Sequence, residues 1–251
     1  MQLSRVDPES ATVMGILPAC SHLAALQLGV CTHGYLIVRG FTEDVSVCNA
    51  LIDMYSKCGK INVARVVFDI MNKRDVISWN AMIAGYGVHG RGREAISLFY
   101  DMQTVGQMPD EIIFIDLLFA CSHSGLVAEG KYLFFRMCQE FKISPRMDHY
   151  LCMVDLLRRN GLLDEAYGFI QNMPFKPDVR IWSALLAACR IHKHIILAEE
   201  VSNRILNLTR KSGNILELLR SYTVVGKYID DQSFDIMNNP FRYLQSFLSS
   251  N

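Results

Sequence analysis

The sequence predicts an all-α protein, an α-solenoid of stacked helix–turn–helix hairpins, and three observations predict it. The first is a repeat of about 34 residues, a period typical of helical-hairpin arrays. Ala19-Cys20-Ser21-His22, Ala120-Cys121-Ser122-His123 and Ala188-Cys189-Arg190 mark equivalent points, 101 and then 68 residues apart. The second is an apolar stripe at the fourth, seventh, eighth and eleventh places of each unit, which is one face of a three-turn helix. The third is a small residue at the twentieth place, followed by apolar residues four and seven places later, a second helical stripe.

Six units follow in order: Ser10–Asp44, Val45–Asp75, Val76–Asp110, Glu111–Arg146, Met147–Asp178 and Val179–Lys211, of 35, 31, 35, 36, 32 and 33 residues. In the first, Val13, Ile16, Leu17 and Cys20 carry the first helix and Gly29 opens the second stripe. The second unit uses Cys48, Leu51, Ile52 and Tyr55, then Ala64, Phe68 and Met71. The third uses Trp79, Met82, Ile83 and Tyr86, then Ala95, Phe99 and Met102. The fourth uses Phe114, Leu117, Leu118 and Cys121, then Gly130, Phe134 and Met137. The fifth uses Tyr150, Met153, Val154 and Leu157, then Ala166, Ile170 and Met173. The sixth uses Trp182, Leu185, Leu186 and Cys189, then Ala198. Gly59, Gly90, Gly125 and Gly161 hold the fifteenth place and are expected to end the first helices. The small twentieth residue is expected to let the two helices of a hairpin approach closely. Leu218, Leu219, Tyr222 and Gly226 keep a first-helix register within 212–229, whereas 230–251 matches no pattern.

Composition narrows the function. The chain has 251 residues, half of them hydrophobic at 51%, enough for a long core between stacked hairpins. Lys plus Arg and Asp plus Glu balance at 25 each, so there is no global polybasic signal. Asp116 interrupts the most apolar stretch, and no membrane span is expected. The eight cysteines contain no C-x-x-C pair and fit buried thiols in a reducing compartment, not a disulfide framework. The N-terminus lacks a secretory h-region and an Arg/Ser-rich presequence, so the chain is expected to begin inside a repeat array.

No catalytic or cofactor motif emerges. The zinc-deaminase pair H-x-E and P-C-x-x-C is absent, as are the phosphate-binding and nucleophile-elbow motifs. His22 and His123 each follow a cysteine, but the repeat explains the match and places the pairs in different hairpins. His192 and His194 are expected on different sides of a helix, in solvent. The expectation is a non-enzyme with no metal and no cofactor.

Val47-Cys48-Asn49-Ala50-Leu51-Ile52-Asp53-Met54-Tyr55-Ser56-Lys57-Cys58-Gly59 and Asp75-Val76-Ile77-Ser78-Trp79-Asn80-Ala81-Met82-Ile83-Ala84-Gly85-Tyr86 resemble the pentatricopeptide repeats of plants. The resemblance covers roughly residues 7–229 and implies a right-handed superhelix. The drifting length resembles the PLS subclass: 10–44 long, 45–75 short, 76–110 standard, 111–146 long and 147–178 short. Residues 179–211 resemble its first C-terminal extension motif and 212–229 a remnant of the next. The tetratricopeptide repeat is the rival, but its pattern wants glycine at the eighth place and a fixed period.

The resemblance implies single-stranded RNA as ligand, one base per repeat. In this family the fifth and last residues of a unit read the base. Those are Asn49 with Asp75 and Asn80 with Asp110, a combination resembling the uridine-preferring code. The second residues Ser46, Ile77 and Ile112 would flank the bases. Met14 with Asp44, Ile115 with Arg146 and Leu151 with Asp178 are weakly coded. Lys57, Arg158, Arg159 and Arg190 at the ends of first helices could meet phosphates. Asparagine near a helix start and aspartate at a hairpin's end also suit plain capping. The implied role is site recognition in organellar cytidine-to-uridine editing, in a mitochondrion or plastid. A deaminase-domain protein and editing accessory factors would be the partners. A protein-interaction scaffold is the alternative, as is a truncated copy of a longer editing factor with little function of its own.

Overall fold

The computed structural model describes residues 10–212, with side chains over 14–208. The features expected beyond Ser212 lie outside the described residues. Twelve α-helices and one short 3-10 turn, Phe41–Glu43, make up the described part, which is an all-α repeat solenoid. The first helices are α1 Ser10–Leu23, α3 Val45–Lys57, α5 Val76–Val88, α7 Glu111–Ser124, α9 Met147–Arg159 and α11 Val179–Ile191. The second helices are α2 Leu26–Val38, α4 Ile61–Ile70, α6 Gly92–Thr104, α8 Val127–Gln139, α10 Leu163–Gln171 and α12 Ile195–Ser212.

Unit length varies through the second helix. Every first helix has 13 or 14 residues. Second helices of 13 residues in α2, α6 and α8 contrast with 10 in α4 and 9 in α10, so the two shortest units lack about one turn. The longer units also end in a left-handed residue, Gly40, Gly106 or Lys142, that turns the chain back.

The fifteenth place is a left-handed turn in all six hairpins. Gly59, Gly90, Gly125 and Gly161 have φ between 64° and 77°, and Ala24 and Lys193 hold 50° and 56° at the same place. Glycine adopts this conformation without steric cost, whereas a Cβ resists it, so the geometry outlives the residue that suits it best. His192 and His194 sit in this turn beside Lys193, not on a helix as expected. His192 Nε2 lies 3.1 Å from the Arg158 carbonyl, and His194 Nδ1 accepts the Leu197 N–H at 3.4 Å.

The chain divides into two compact units, 1–156 and 157–251. In the first, α1, α3, α5 and α7 pack side by side, and α2, α4 and α6 each touch their own first helix and the next one. The seventh and eighth places are buried there, including Leu51, Ile52, Met82, Ile83, Leu117 and Leu118 at 0% exposure, while Ile16 is half-buried. In the second unit α11 packs against α10 and α12, over Trp182, Leu185, Leu186 and Cys189.

The small twentieth residues do more than let a hairpin close. A Cβ on Gly29 would lie 2.4 Å from the sulfur of Met54, and one on Gly130 would lie 2.3 Å from Leu156 Cδ2. Met54 and Leu156 are the tenth residues of the following first helices. The small column therefore makes room chiefly for the next hairpin, and in Gly130 also for Cys121 of its own. Ala64, Ala95, Ala166 and Ala198 are each at 0% exposure.

Ala95→Arg should therefore unfold the array locally or wholly, since it forces an unpaired cation into a closed contact at a cost of several kcal/mol. A circular-dichroism melt is expected to shift down by many degrees; an unchanged melt would contradict the packing.

Candidate nucleic-acid interface

Asn49 and Asn80 occupy equivalent places in the first turns of α3 and α5, which pack side by side. Their carboxylate partners stand at the helix starts that follow: Asp75 caps α5 and Asp110 caps α7. A helix start leaves backbone N–H groups without intrahelical acceptors, and a short carboxylate side chain supplies one. Asp75 Oδ1 accepts the Ser78 N–H at 2.8 Å, while the Ser78 hydroxyl closes the reciprocal bond to the Asp75 N–H. Asp110 Oδ1 accepts the Ile113 N–H at 2.9 Å.

The same carboxylates hold the asparagines. Asn49 Nδ2 donates to Asp75 Oδ1 at 3.1 Å, and Asn80 Nδ2 donates to Asp110 Oδ2 at 3.5 Å. An ionised carboxylate only accepts, so it fixes which end of each amide faces it. The carbonyl oxygens are left over: Asn49 Oδ1 and Asn80 Oδ1 are both buried with no hydrogen-bond partner. A buried acceptor left empty costs roughly 1–3 kcal/mol. Burial alone would push the Asp75 carboxyl up. The bonds from Ser78 and Asn49 outweigh it and hold the group below its ordinary value. Capping and amide orientation are thus one arrangement here, not competing explanations.

The residues expected to flank bases differ in character. Ile77 and Ile112 are 63% and 50% exposed, unusual for isoleucine and suited to covering an aromatic face. Ser46 is engaged elsewhere, its N–H and hydroxyl both bonded to Asp44 Oδ1. Among the basic residues, Lys57 pairs with Asp53 at 2.8 Å on the surface, while Arg159 and Arg190 are exposed and Arg158 is half-buried in the second compact unit.

At the start of α9 the pattern changes. Arg146 stands where the other junctions have aspartate, and its guanidinium pairs with Glu111 at 2.7 Å. The cap comes instead from His149, missed by the sequence reading. Its Nδ1 accepts the Arg146 N–H at 3.1 Å, so Nε2 carries the proton donated to the Glu111 carbonyl at 2.9 Å. Burial lowers the pKa of this histidine and keeps it neutral. A histidine at the third helical place behind a non-capping residue was the available signal. Asp116 was also missed as a group of interest. Burial first, and the charge of Asp110 second, push its carboxyl up to about 7. Among the described residues no three His, Cys, Asp or Glu side chains gather as a metal site, and no helix is long and apolar enough to cross a membrane.

Two family models match this chain, a PPR repeat family over residues 74–123 and a PPR repeat over 46–76 and 148–176. An Arabidopsis thaliana pentatricopeptide repeat-containing protein, DOT4, chloroplastic, is 49% identical over 83% of this chain and 24% of its own length. A second from the same plant, CRR2, chloroplastic, is 46% identical over 86% of this chain and 33% of its own. The chain spans about a quarter to a third of these curated relatives. Among solved structures, the maize pentatricopeptide repeat protein PPR10 superposes with a TM-score of 0.59 at 20% identity, over 95% of this chain and 36% of that one. Its complex with an 18-nt psaJ RNA element gives 0.71 at 16%, over 94% and 37%. At such identities the likeness establishes the fold.

Asp75→Ala removes a cap and an amide anchor together and should cost about 1–2 kcal/mol in urea unfolding at pH 7. The carboxyl is held below its ordinary value in the folded state. Its contribution is therefore present above about pH 4 and is lost as pH falls through the lowered value. The gap between wild type and variant should narrow as pH falls below about 4; a gap of the same size at every pH would contradict this role.

Proposed function

The chain belongs to the pentatricopeptide repeat family, and we propose that it binds single-stranded RNA, with Asn49–Asp75 and Asn80–Asp110 each reading one uridine. The observation that carries the reading is the pair of oriented amides with empty carbonyl oxygens. Uracil presents an N3–H donor beside a carbonyl acceptor on its Watson–Crick edge. An amide offers the complementary acceptor and donor; Asn49 Oδ1 and Asn80 Oδ1, buried in the free protein, would turn out to the base to meet that edge. Cytosine and adenine place an acceptor at the corresponding ring nitrogen, opposite the amide oxygen. Ile77 and Ile112 supply apolar cover for the base at Asn80, while Ser46 makes the cover at Asn49 weaker on one side.

The finer assignment extends the same reading. The unit lengths 35, 31, 35, 36 and 32 fit long, short and standard PLS units, with 179–211 as an extension motif. On that scheme the chain serves as a site-recognition module for cytidine-to-uridine editing in an organelle, with deamination supplied by another protein. The final short unit would stand opposite the fourth nucleotide before the edited cytidine, and the two uridines at the seventh and sixth. The chloroplastic relatives support an organellar setting. Phosphates would be met by Arg158, Arg159 and Arg190. In the first compact unit Lys57 would meet them on leaving Asp53, a small cost for an exposed pair.

Equilibrium gel shifts should show preference for oligonucleotides with a U-U step over uridine-free ones, with modest affinity and strong salt dependence. One base contact is worth roughly 1–3 kcal/mol. Asn80→Thr is expected to move the preference at one nucleotide from U to G and leave its neighbour unchanged. Unaltered ratios for U-U and U-G would refute the assignment, and equal binding to uridine-free RNA would favour a protein-interaction scaffold.

A further inference from the structure

The sixth place of the first helices is Gly15, Ala50, Ala81, Asp116, Cys152 and Ala184: five small or weakly polar residues and one carboxylic acid. Asp116 is half-buried, and among the described residues it makes no hydrogen bond and no ion pair. A carboxylate in that position has lost part of its water without gaining a donor.

Its place in the fold is well defined. Phe119 and Ala120, three and four residues further along α7, are the groups a Cβ on Gly87 of α5 would meet, at 3.1 and 3.3 Å. Residues three and four apart share a helix face, so Asp116 lies on the side of α7 turned to α5, one turn nearer the helix starts. That is where Asn80 and Asp110 meet. The charged and titratable groups around it are few. Asp110 acts on it from the start of α7, and the Cys152 thiol faces it from α9. From α5, whose only ionisable side chain is Tyr86, and from α6 and α8, no cation or acid reaches it.

We infer that Asp116 is a third, proton-dependent member of the Asn80–Asp110 site, strengthening RNA binding there when neutral and opposing it when ionised. The inference rests on the base-reading function proposed for that pair. A neutral carboxyl offers a donor and an acceptor, as the Asn80 amide does, and can bond the edge or ribose of the nucleotide held there. An ionised one only accepts, and it sets a second negative charge beside Asp110 in the path of a phosphate chain. The proton is exchanged with solvent and no other group changes state. The position of the carboxyl near 7 places the change in the neutral range. Asn49–Asp75 has Ala50 and Ala81 at the equivalent sixth places and should show no such dependence.

The test is binding of the full chain to fluorescein-labelled RNA with one U-U step in an adenosine background, from pH 6 to 8 at fixed ionic strength. Wild type should lose up to about tenfold affinity across that range, the limit for one proton taken up near pH 7. Asp116→Asn should stay tight at pH 8. Asp116→Ala, which restores the residue common in the column, should be flat with pH and weaker than wild type at pH 6. Titrating histidines contribute equally to all three proteins and cancel in the comparison. Equal pH slopes in wild type and both variants, with the U-U preference intact, would overturn the role of Asp116 alone. Loss of the U-U preference at every pH would overturn the base-reading function and this inference with it.

Discussion

Each junction between hairpins turns on one capping side chain, and the rest of the array takes its phase from it. Asp44, Asp75, Asp110 and Asp178 all accept a backbone N–H from the helix they precede. Where the helix begins decides which residues face the core, since each later position rotates by about 100°. A cap moved by one residue would take Trp79 or Phe114 out of the core and put a neighbour in. Because α3 packs beside α5 and α5 beside α7, the cap of one helix also lies against the first turn of its predecessor. That contact puts Asn49 within reach of Asp75 and Asn80 within reach of Asp110. Capping fixes the register, and the register delivers the amides.

The tolerance of the array to changing unit length follows from the same division of labour. First helices keep 13 or 14 residues, and in the first compact unit they pack side by side, while second helices gain or lose a turn. In the first compact unit α2, α4 and α6 each touch their own first helix and the next one, so shortening α4 removes contacts at one end and leaves the row of first helices in step. The left-handed turn between the helices is held through Ala24 and Lys193 as well as the glycines. The backbone conformation there is imposed by packing on both sides, and glycine merely lowers its cost.

Much of the fold was legible because it is periodic. The buried columns, the small column and the turn glycines recur, and recurrence separates signal from chance in a single sequence. Less legible was anything that depends on one hairpin meeting the next. The partner of Gly130 is Leu156, 26 residues further on, and Ser21 and Ser122 bond Asp53 and Asp155 across hairpins. No local pattern reports such distances. His149 escaped because it replaces an aspartate cap from the other side of the helix start. Asp116 read as an interruption in an apolar run, and only its neighbours make it a group without a partner. The placement of His192 and His194 went astray because Lys193 stands where glycine would have announced the turn.

The two pairs proposed to read bases share the same letters, Asn and Asp, yet they are not the same site. At Asp75 a single oxygen, Oδ1, takes the bonds from Ser78 and Asn49, and Oδ2 receives none. At Asp110 the work is split: Oδ1 takes the cap and Oδ2 takes the amide. The first aspartate gathers its bonds on one oxygen; the second spreads its two over both. The second also stands beside Asp116, with Asn80 held at a longer distance. Two pairs of identical residues therefore differ in bonding and in neighbouring charge. The hydroxyl of Ser78 and the carboxyl of Asp116, neither of them in the two-letter description, make that difference.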